Sequence, residues 1–308
     1  LKMIIAIDHG NYAIKTLNHS FVAGLSEHTV KPPMTDEIME YDGRFWTLTG
    51  NRLSYMRDKT QDERYFILTL FAIAKELESV GRLSAFETID LAVGLPPEHY
   101  GILKNKFAQY FKRTGTVNFV YKDNPVSIII RNVCVYPQAY AAVVPYAGKL
   151  LSTLMMFVVD IGGYTTDVLL LRNGKPDLQF CRSLELGVIT MNNDIIRRVG
   201  ALHDMKIEDE HISAVLRGEE TFLPEDVIQT ITKATETHTR DILHKLRELQ
   251  VDLRANPAMF IGGGSILFED YIKASNLVSK ADFIEDPKAN AIGYQMLASK
   301  QLGYRPTA

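Results

Sequence analysis

Cysteine is scarce in this sequence, since only Cys134 and Cys181 occur among 308 residues. A disulfide framework is therefore excluded, and the composition fits a reducing, cytoplasmic environment. Each cysteine lies in a strand-like run, so we expect both thiols to fill the core. Long apolar runs are also missing: the longest, from Leu150 to Val159, is too short to cross a bilayer, and no secretory signal pattern opens the chain. We expect no membrane association.

The chain also lacks an excess of positive charge, since its formal net charge is −3. A chain without a basic field is not expected to bind DNA directly. Neither a Walker-type loop nor a Gly-x-Gly-x-x-Gly turn after a strand is present, which argues against P-loop and Rossmann sites. The eight histidines show no paired metal-ligand spacing, and His9 is interpreted as a turn residue. The hydrophobic fraction of 46% and the length predict a globular protein with two domains.

Two segments of the chain share one pattern: an apolar strand, an aspartate, a glycine turn and a returning strand. They are residues 8–15, Asp-His-Gly-Asn-Tyr-Ala-Ile-Lys, and residues 160–167, Asp-Ile-Gly-Gly-Tyr-Thr-Thr-Asp. The tip of such a hairpin exposes backbone N–H groups that can hold a phosphate, while the carboxylate reaches a hydrated metal ion. One copy would also fit an ordinary hairpin. The repetition predicts two similar domains that face each other across one nucleotide.

The side chains of these segments supply the groups that a Mg²⁺–triphosphate requires. Asp8 and Asp160 are the candidate metal ligands, through water, and Lys15 could reach a phosphate oxygen. The candidate nucleotide-binding residues of the two turns are Gly10, Asn11, Tyr12, Lys15, Gly162, Gly163, Tyr164 and Thr165.

A glycine triplet followed by serine forms a third candidate site, since it joins a predicted strand at 258–261 to a helix. Gly262, Gly263 and Gly264 would let a flat ligand approach the backbone, and the N-terminus of the helix that contains Ser265 favours a phosphate. The alternative is a plain strand–helix turn.

Gln138 is a candidate catalytic residue because Pro137 is predicted to open a short helix that ends at Val144. A glutamine at that position could orient an attacking water, although it would also suit the start of any helix. Small residues at helical spacing, Ala289 and Gly293, could form a close helix–helix contact with Ala139, Ala141 and Ala142.

The pattern of apolar residues predicts alternating strands and helices in both halves of the chain. Strands are predicted at residues 3–8, 12–18, 44–49, 89–94, 116–122, 125–135, 155–160, 164–172, 177–183 and 258–261. Helices are predicted at residues 61–80, 97–112, 137–144, 187–199, 207–216, 224–250 and 288–300, with one more after Ser265.

Taken in order along the chain, these motifs resemble those of the actin-like ATPase superfamily. The matches are a first phosphate motif at 8–15, a connecting helix with Gln138, a second phosphate motif at 160–167, an adenosine motif at 262–265 and a second connecting helix at 289–294. Val93-Gly94-Leu95-Pro96 and the run Ala-Asn-Ala-Ile-Gly-Tyr at 289–294 make the chain most similar to the ParM/StbA plasmid-segregation actins.

This resemblance implies an α/β, actin-like (ribonuclease-H-like) fold with a nucleotide cleft between two domains. Domain I would comprise residues 1–150 plus 289–308, and domain II residues 151–288. It implies slow, polymerisation-coupled hydrolysis of ATP or GTP with Mg²⁺, with Gln138, Asp160 and Asp8 as the catalytic residues. It also implies that the chain assembles with itself into a polar filament, and that an adaptor of the ParR type connects the filament to plasmid or other low-copy DNA.

Two positions depart from the family pattern. Asn11-Tyr12 stand where actin-like proteins often place serine or threonine, and Gln138 matches actin where ParM-like proteins often carry glutamate. The ribose-binding residues are not located, although residues 185–198 are their expected source.

Two other functions of the same fold remain open: a monomeric small-molecule kinase or phosphatase, and a static scaffold. A sugar kinase usually carries a substrate loop with a catalytic aspartate, and none is evident between residues 95 and 137. A membrane-bound scaffold would carry an amphipathic end, which residues 1–2 and 300–308 do not resemble.

Overall fold

The structure is a computed structural model that describes residues 3–33, 35–83 and 86–304. Residues 1–2 and 305–308, on which the expectation about the chain ends partly rests, lie outside the described residues.

The strands are β1 Met3–His9, β2 Ala13–Lys15, β3 Ser20–Val22, β4 Leu25–His28, β5 Ile38–Tyr41, β6 Arg44–Leu48, β7 Phe86–Leu95, β8 Val117–Tyr121, β9 Asn124–Pro137, β10 Met155–Ile161, β11 Thr166–Arg172, β12 Lys175–Leu184, β13 Ala258–Ile261 and β14 Ala281–Phe283.

The helices share the amphipathic or buried character that their sequences predict. They are α1 Arg64–Ser79, α2 Pro97–Phe111, α3 Tyr140–Val143, α4 Ala147–Leu151, α5 Val188–His203, α6 Asp209–Leu216, α7 Glu225–Glu248, α8 Gly263–Leu267, α9 Glu269–Ala274 and α10 Ala289–Leu302. Short 3-10 turns occupy Lys59–Gln61 and Val144–Tyr146. Within the described ranges, no helix combines the length and the apolar character needed to cross a membrane.

Contacts divide the chain into two compact units: residues up to 146 together with residues from 288 onward, and residues 147–287. The first unit contains a nine-stranded sheet in the order β3-β2-β1-β7-β9-β8-β5-β6-β4, and the second a five-stranded sheet in the order β12-β11-β10-β13-β14. The first five strands of the large sheet repeat the pattern of the small one: two antiparallel pairs are followed by two parallel pairs. Each unit is therefore built on the same five-strand arrangement.

Helix α1 is the central element of the first unit's core. Its residues from Tyr65 to Ala74 are buried without interruption, as expected for a helix that is apolar all round. In the second unit the core lies between β10, β11 and β13 and the inner faces of α5 and α7. Cys134 is buried in the first unit, as predicted, whereas Cys181 is only half-buried.

Two predicted elements are interrupted or displaced. The strand predicted at 12–18 ends already at Lys15, because Thr16 N–H donates to the carbonyl of His19 and closes a turn before β3. The buried carboxylate of Glu76 accepts from the Thr16 hydroxyl and from the backbone of Asn18, which fixes this turn. Pro137 does not open a helix as predicted; it is the last residue of β9, and α3 starts only at Tyr140.

Candidate functional site

The first turn begins where β1 ends. Asp8 lies opposite Lys15 in the β1–β2 ladder and is 4% exposed. A Cβ atom on Gly10 would lie 2.6 Å from the carbonyl oxygen of Ala13, so the turn requires glycine. Asn11 Oδ1 is buried and has no hydrogen-bond partner among the described residues. Because buried polar atoms are normally paired, this orphan fits a ligand group at the turn, such as a metal-bound water.

Gln138 contacts this turn through its side chain. Its Nε2 donates to Asp8 Oδ1 at 2.9 Å, and its backbone N–H donates to the carbonyl of Leu95 at 2.8 Å. The next residue, Ala139, has φ +61°, a conformation that costs free energy for alanine, and its N–H donates to Asn290 Oδ1 at 3.0 Å. Gln138 is thus fixed in a strained turn between β9 and α3, not on a helix as the sequence predicted.

Lys59 is a residue of this site that the sequence analysis missed. Its Nζ donates to the carbonyl of His9. Burial lowers the pKa of Lys59 to about 8, with the charge of Lys15 acting in the same direction and that of Asp8 opposing it. Three ionic groups therefore cluster at the first turn. No local motif marks Lys59, because it reaches the turn from the loop that precedes α1.

His9 is a core residue and not the turn residue that the sequence suggested. It is 1% exposed, stacks on Phe111 with ring centroids 5.0 Å apart, and places Nε2 2.8 Å from Thr69 Oγ1. Burial and the nearby charge of Lys59 lower the pKa of His9 to about 3. The imidazole is therefore neutral at physiological pH and anchors the first turn to the hydrophobic core.

Tyr12 lies at the tip of the first turn and is 45% exposed. The guanidinium of Arg52 lies 6.0 Å from the centroid of its ring. An exposed aromatic ring beside a cation offers a surface for a ligand, although Arg52 was not predicted from the sequence.

The second turn repeats the geometry of the first. Asp160 pairs with Asp167 across β10 and β11, as Asp8 pairs with Lys15, so the two aspartates hold equivalent positions. Gly162 N–H donates to the carbonyl of Thr165 at 2.8 Å, and the Thr165 hydroxyl donates to Asp167 Oδ2 at 2.9 Å. These contacts hold the turn closed, with Gly163 and Tyr164 at its tip.

The first residues of helix α5 contact the second turn through their backbone. Val188 and Ile189 donate their backbone N–H groups to the carbonyls of Gly162 and Gly163 at 3.1 and 2.7 Å. A Cβ on Gly187 would overlap the carbonyl of Gly163, so glycine is required there too. The partial positive charge of a helix N-terminus adjoins this turn and favours an anion. Sequence reasoning placed the helix start here but did not recognise why Gly187 is needed.

The glycine triplet lies beside the second turn. Gly262 has φ +86°, and a Cβ on it would lie 2.5 Å from Asp160 Oδ1. A Cβ on Gly263 would meet nothing within 4 Å, whereas one on Gly264 would overlap the Ile161 side chain. The hydroxyl of Ser265 is buried and donates to the carbonyl of Gly262 at 2.8 Å, so it shapes the turn. Gly263 is the member of the triplet that leaves open space for a ligand.

Within each unit, therefore, the predicted residues are brought together. In the first, Asp8, Lys15 and Gln138 converge on one turn; in the second, Asp160 adjoins Gly262. Magnesium is usually held by one or two carboxylates and several waters, and Asp8 and Asp160 are suited to that chemistry.

Comparisons with known families match both parts of the chain. Residues 6–140 match the family model for the N-terminal domain of actin-like proteins, and residues 158–274 match the C-terminal model of the MreB-like archaeal actin homologues. A search of curated protein sequences found no significant match.

Solved structures resemble the chain over nearly its whole length. The subunit of a 15-stranded ParM filament from Clostridium botulinum has a TM-score of 0.75 at 20% identity, covering 97% of this chain and 99% of that one. An archaeal actin homologue in complex with ADP has a TM-score of 0.74 at 18% identity, with coverages of 97% and 99%. ParM from Bacillus thuringiensis with AMPPNP has a TM-score of 0.69 at 13% identity, with coverages of 98% and 99%.

Proposed function

Because this chain belongs to the actin-like superfamily, we propose that it is a filament-forming nucleoside triphosphatase that segregates low-copy DNA through an adaptor protein. The observation that supports this most directly is the repeated turn. Asp8 and Asp160 occupy equivalent positions at the ends of β1 and β10, each beside a turn that requires glycine. The proposal assigns both turns to the phosphates of one nucleotide, ATP or GTP.

Each residue has a role in this proposal. Asp8 and Asp160 would hold Mg²⁺ through its waters, and the ion would supply charge neutralisation for the phosphates. Lys15 binds a phosphate oxygen, and the backbone N–H of Gly163 donates to another. Gln138, held against Asp8, orients the attacking water. Gly263, where an added Cβ would meet nothing within 4 Å, is proposed to face the adenosine.

Hydrolysis in this proposal is slow. Gln138 is not a base, so catalysis rests on positioning and on neutralisation of charge. We expect a turnover below ~1 s⁻¹, which corresponds to a barrier above roughly 17 kcal/mol. Such a rate suits a protein in which hydrolysis limits the lifetime of an assembly.

Assembly is proposed because similar structures include a ParM filament and an Alp12 filament. A filament requires head-to-tail contacts that do not close into a ring. A subunit affinity near micromolar, roughly −8 kcal/mol per added subunit, would let nucleotide control assembly in the cytoplasm. With a net charge of −3, the chain is proposed to reach DNA through an adaptor of the ParR type and not by direct contact.

Phosphate release with Mg-ATP and with Mg-GTP tests the enzymatic part of the proposal. Asp160→Ala removes a carboxylate that lies beside Gly262, and we expect it to abolish release. Full activity in this variant would contradict the assignment of the second turn. Asp209→Ala, at the start of α6, is the matched control and should leave the rate unchanged.

A further inference from the structure

The loop between β6 and α1 folds against the first turn and its neighbouring strands. Leu53 N–H donates to the carbonyl of Ala23 at 2.7 Å. A Cβ on Gly24 would overlap the carbonyls of Thr49 and Asn51, so the loop and the strand backbone are in direct contact. The loop ends in the 3-10 turn that carries Lys59. The bond to the His9 carbonyl places the Lys59 ammonium at the first turn.

Among the residues that the structure describes, the Lys59 ammonium donates to one acceptor, the carbonyl of His9. It also lies 5.4 Å from the centroid of the Tyr65 ring. An ammonium carries three N–H donors, so the bond to His9 leaves capacity for further acceptors. The side chain is half-buried, so part of it remains accessible at the surface.

The charges around Lys59 favour an anion. Asp8 is the charged group that acts on Lys59 most strongly, and Lys15 opposes it with a weaker repulsion. Two cations and one carboxylate leave a local positive excess in a partly buried place, where charge interactions are stronger than in water. A phosphate would neutralise this excess of positive charge.

The position of Asp8 indicates which phosphate that is. Asp8 contacts Gln138, the residue proposed to orient the attacking water, and its charge also acts on Lys59. The same carboxylate thus links Lys59 to the reacting end of the nucleotide.

We propose that Lys59 binds the terminal phosphate of the triphosphate and makes the first turn distinguish a triphosphate from a diphosphate. This inference rests on the proposed nucleotide function. Its rival is a structural role, in which Lys59 only ties the loop to the His9 carbonyl. The two differ in what they require of the side chain: the structural role needs an N–H donor, whereas phosphate binding needs the positive charge.

Calorimetric titration of the full chain with Mg-ATP and with Mg-ADP separates these roles. Lys59→Gln keeps an N–H donor but removes the charge, and Lys59→Arg keeps the charge. Lys106→Gln is the matched control, because Lys106 forms an ion pair with Asp58, the N-cap of the same 3-10 turn.

We expect Lys59→Gln to weaken ATP binding about 10- to 100-fold, the range of a charge-assisted hydrogen bond, and ADP binding less than about 3-fold. Lys59→Arg should retain most of the preference for ATP, and Lys106→Gln all of it. Equal losses for both nucleotides in Lys59→Gln, or no loss for either, would overturn the inference while leaving the proposed function intact. If Lys59→Gln fails to fold, a Lys59→Arg variant that folds but binds ATP and ADP equally would overturn it as well. If the unmodified chain binds no nucleotide, the proposed function fails and this inference with it.

Discussion

The side-chain amide of Gln138 donates a hydrogen bond to Oδ1 of Asp8 at 2.9 Å. One residue was predicted as the group that orients water and the other as the group that holds the metal. Their contact means that the first turn and the start of α3 form one site within one unit. Ala139, with φ +61°, helps to form this site. Its strained backbone turns the chain away from β9 directly after Gln138.

Replacement of Gln138 by alanine is expected to affect the chemical step more than binding. Loss of the positioning amide should lower the rate of phosphate release about 100-fold and change nucleotide affinity less than about 3-fold. Single-turnover hydrolysis and equilibrium titration measure the two quantities separately. Gln109→Ala, on the exposed side of α2, is the control. A parallel fall in affinity and rate would assign Gln138 to ground-state binding.

Gly293 is predicted to be indispensable for the packing of α10. A Cβ at this position would overlap the backbone carbonyl of Ala141, and backbone cannot move aside cheaply. We expect Gly293→Ala to lower the free energy of unfolding by about 1–3 kcal/mol. Gly101→Ala, on α2 where a Cβ meets nothing within 4 Å, should instead raise it by about 0.5–1 kcal/mol. Urea unfolding of both variants measures the difference, and two effects of the same sign would refute the close contact.

The buried imidazole of His9 predicts a specific loss of stability in mild acid. Its pKa in the folded chain, about 3, lies below the ordinary value of 6.5. The unfolded chain therefore binds a proton that the folded chain does not. The stabilisation is present above pH 6.5 and is lost progressively as the pH falls from there toward 3.

We expect the difference in unfolding free energy between about pH 7.5 and about pH 5.5 to be about 1 kcal/mol smaller in His9→Gln than in the unmodified chain. His244→Gln, at an exposed position of α7, should leave that difference unchanged. An identical pH dependence in His9→Gln would show that His9 is not a buried neutral side chain.

The fold was largely accessible from the sequence, and the α/β actin-like class is confirmed. The strand at 258–261 has its predicted bounds, and the turn at Asn173-Gly174 has positive φ at both residues, as its composition predicts. These features depend on local sequence alone. The predicted small-residue contact between the two connecting helices is also observed, because Gly293 lies against Ala141.

What the sequence did not reveal depends on contacts between distant residues. The strand predicted at 12–18 ends at Lys15 because Glu76, from α1, binds Thr16 and Asn18 in the turn that follows. No local motif marks Lys59 or Gly187. Lys59 reaches the first turn only because the loop before α1 packs there, and Gly187 is needed only because the start of α5 packs on the second turn. Pro137 was misassigned because proline ends a strand as readily as it opens a helix, and the parallel pairing of β9 with β7 decides between them.

Pelleting combined with light scattering measures whether nucleotide controls the assembly of this chain. Purified chain at several concentrations is compared in Mg-ATP, in Mg-GTP and without nucleotide. We expect a threshold concentration, near micromolar, above which a pellet forms with one triphosphate, and disassembly once that triphosphate is consumed. Absence of a threshold and of a pellet under every condition would contradict the filament proposal and favour a monomeric kinase or phosphatase of the same fold.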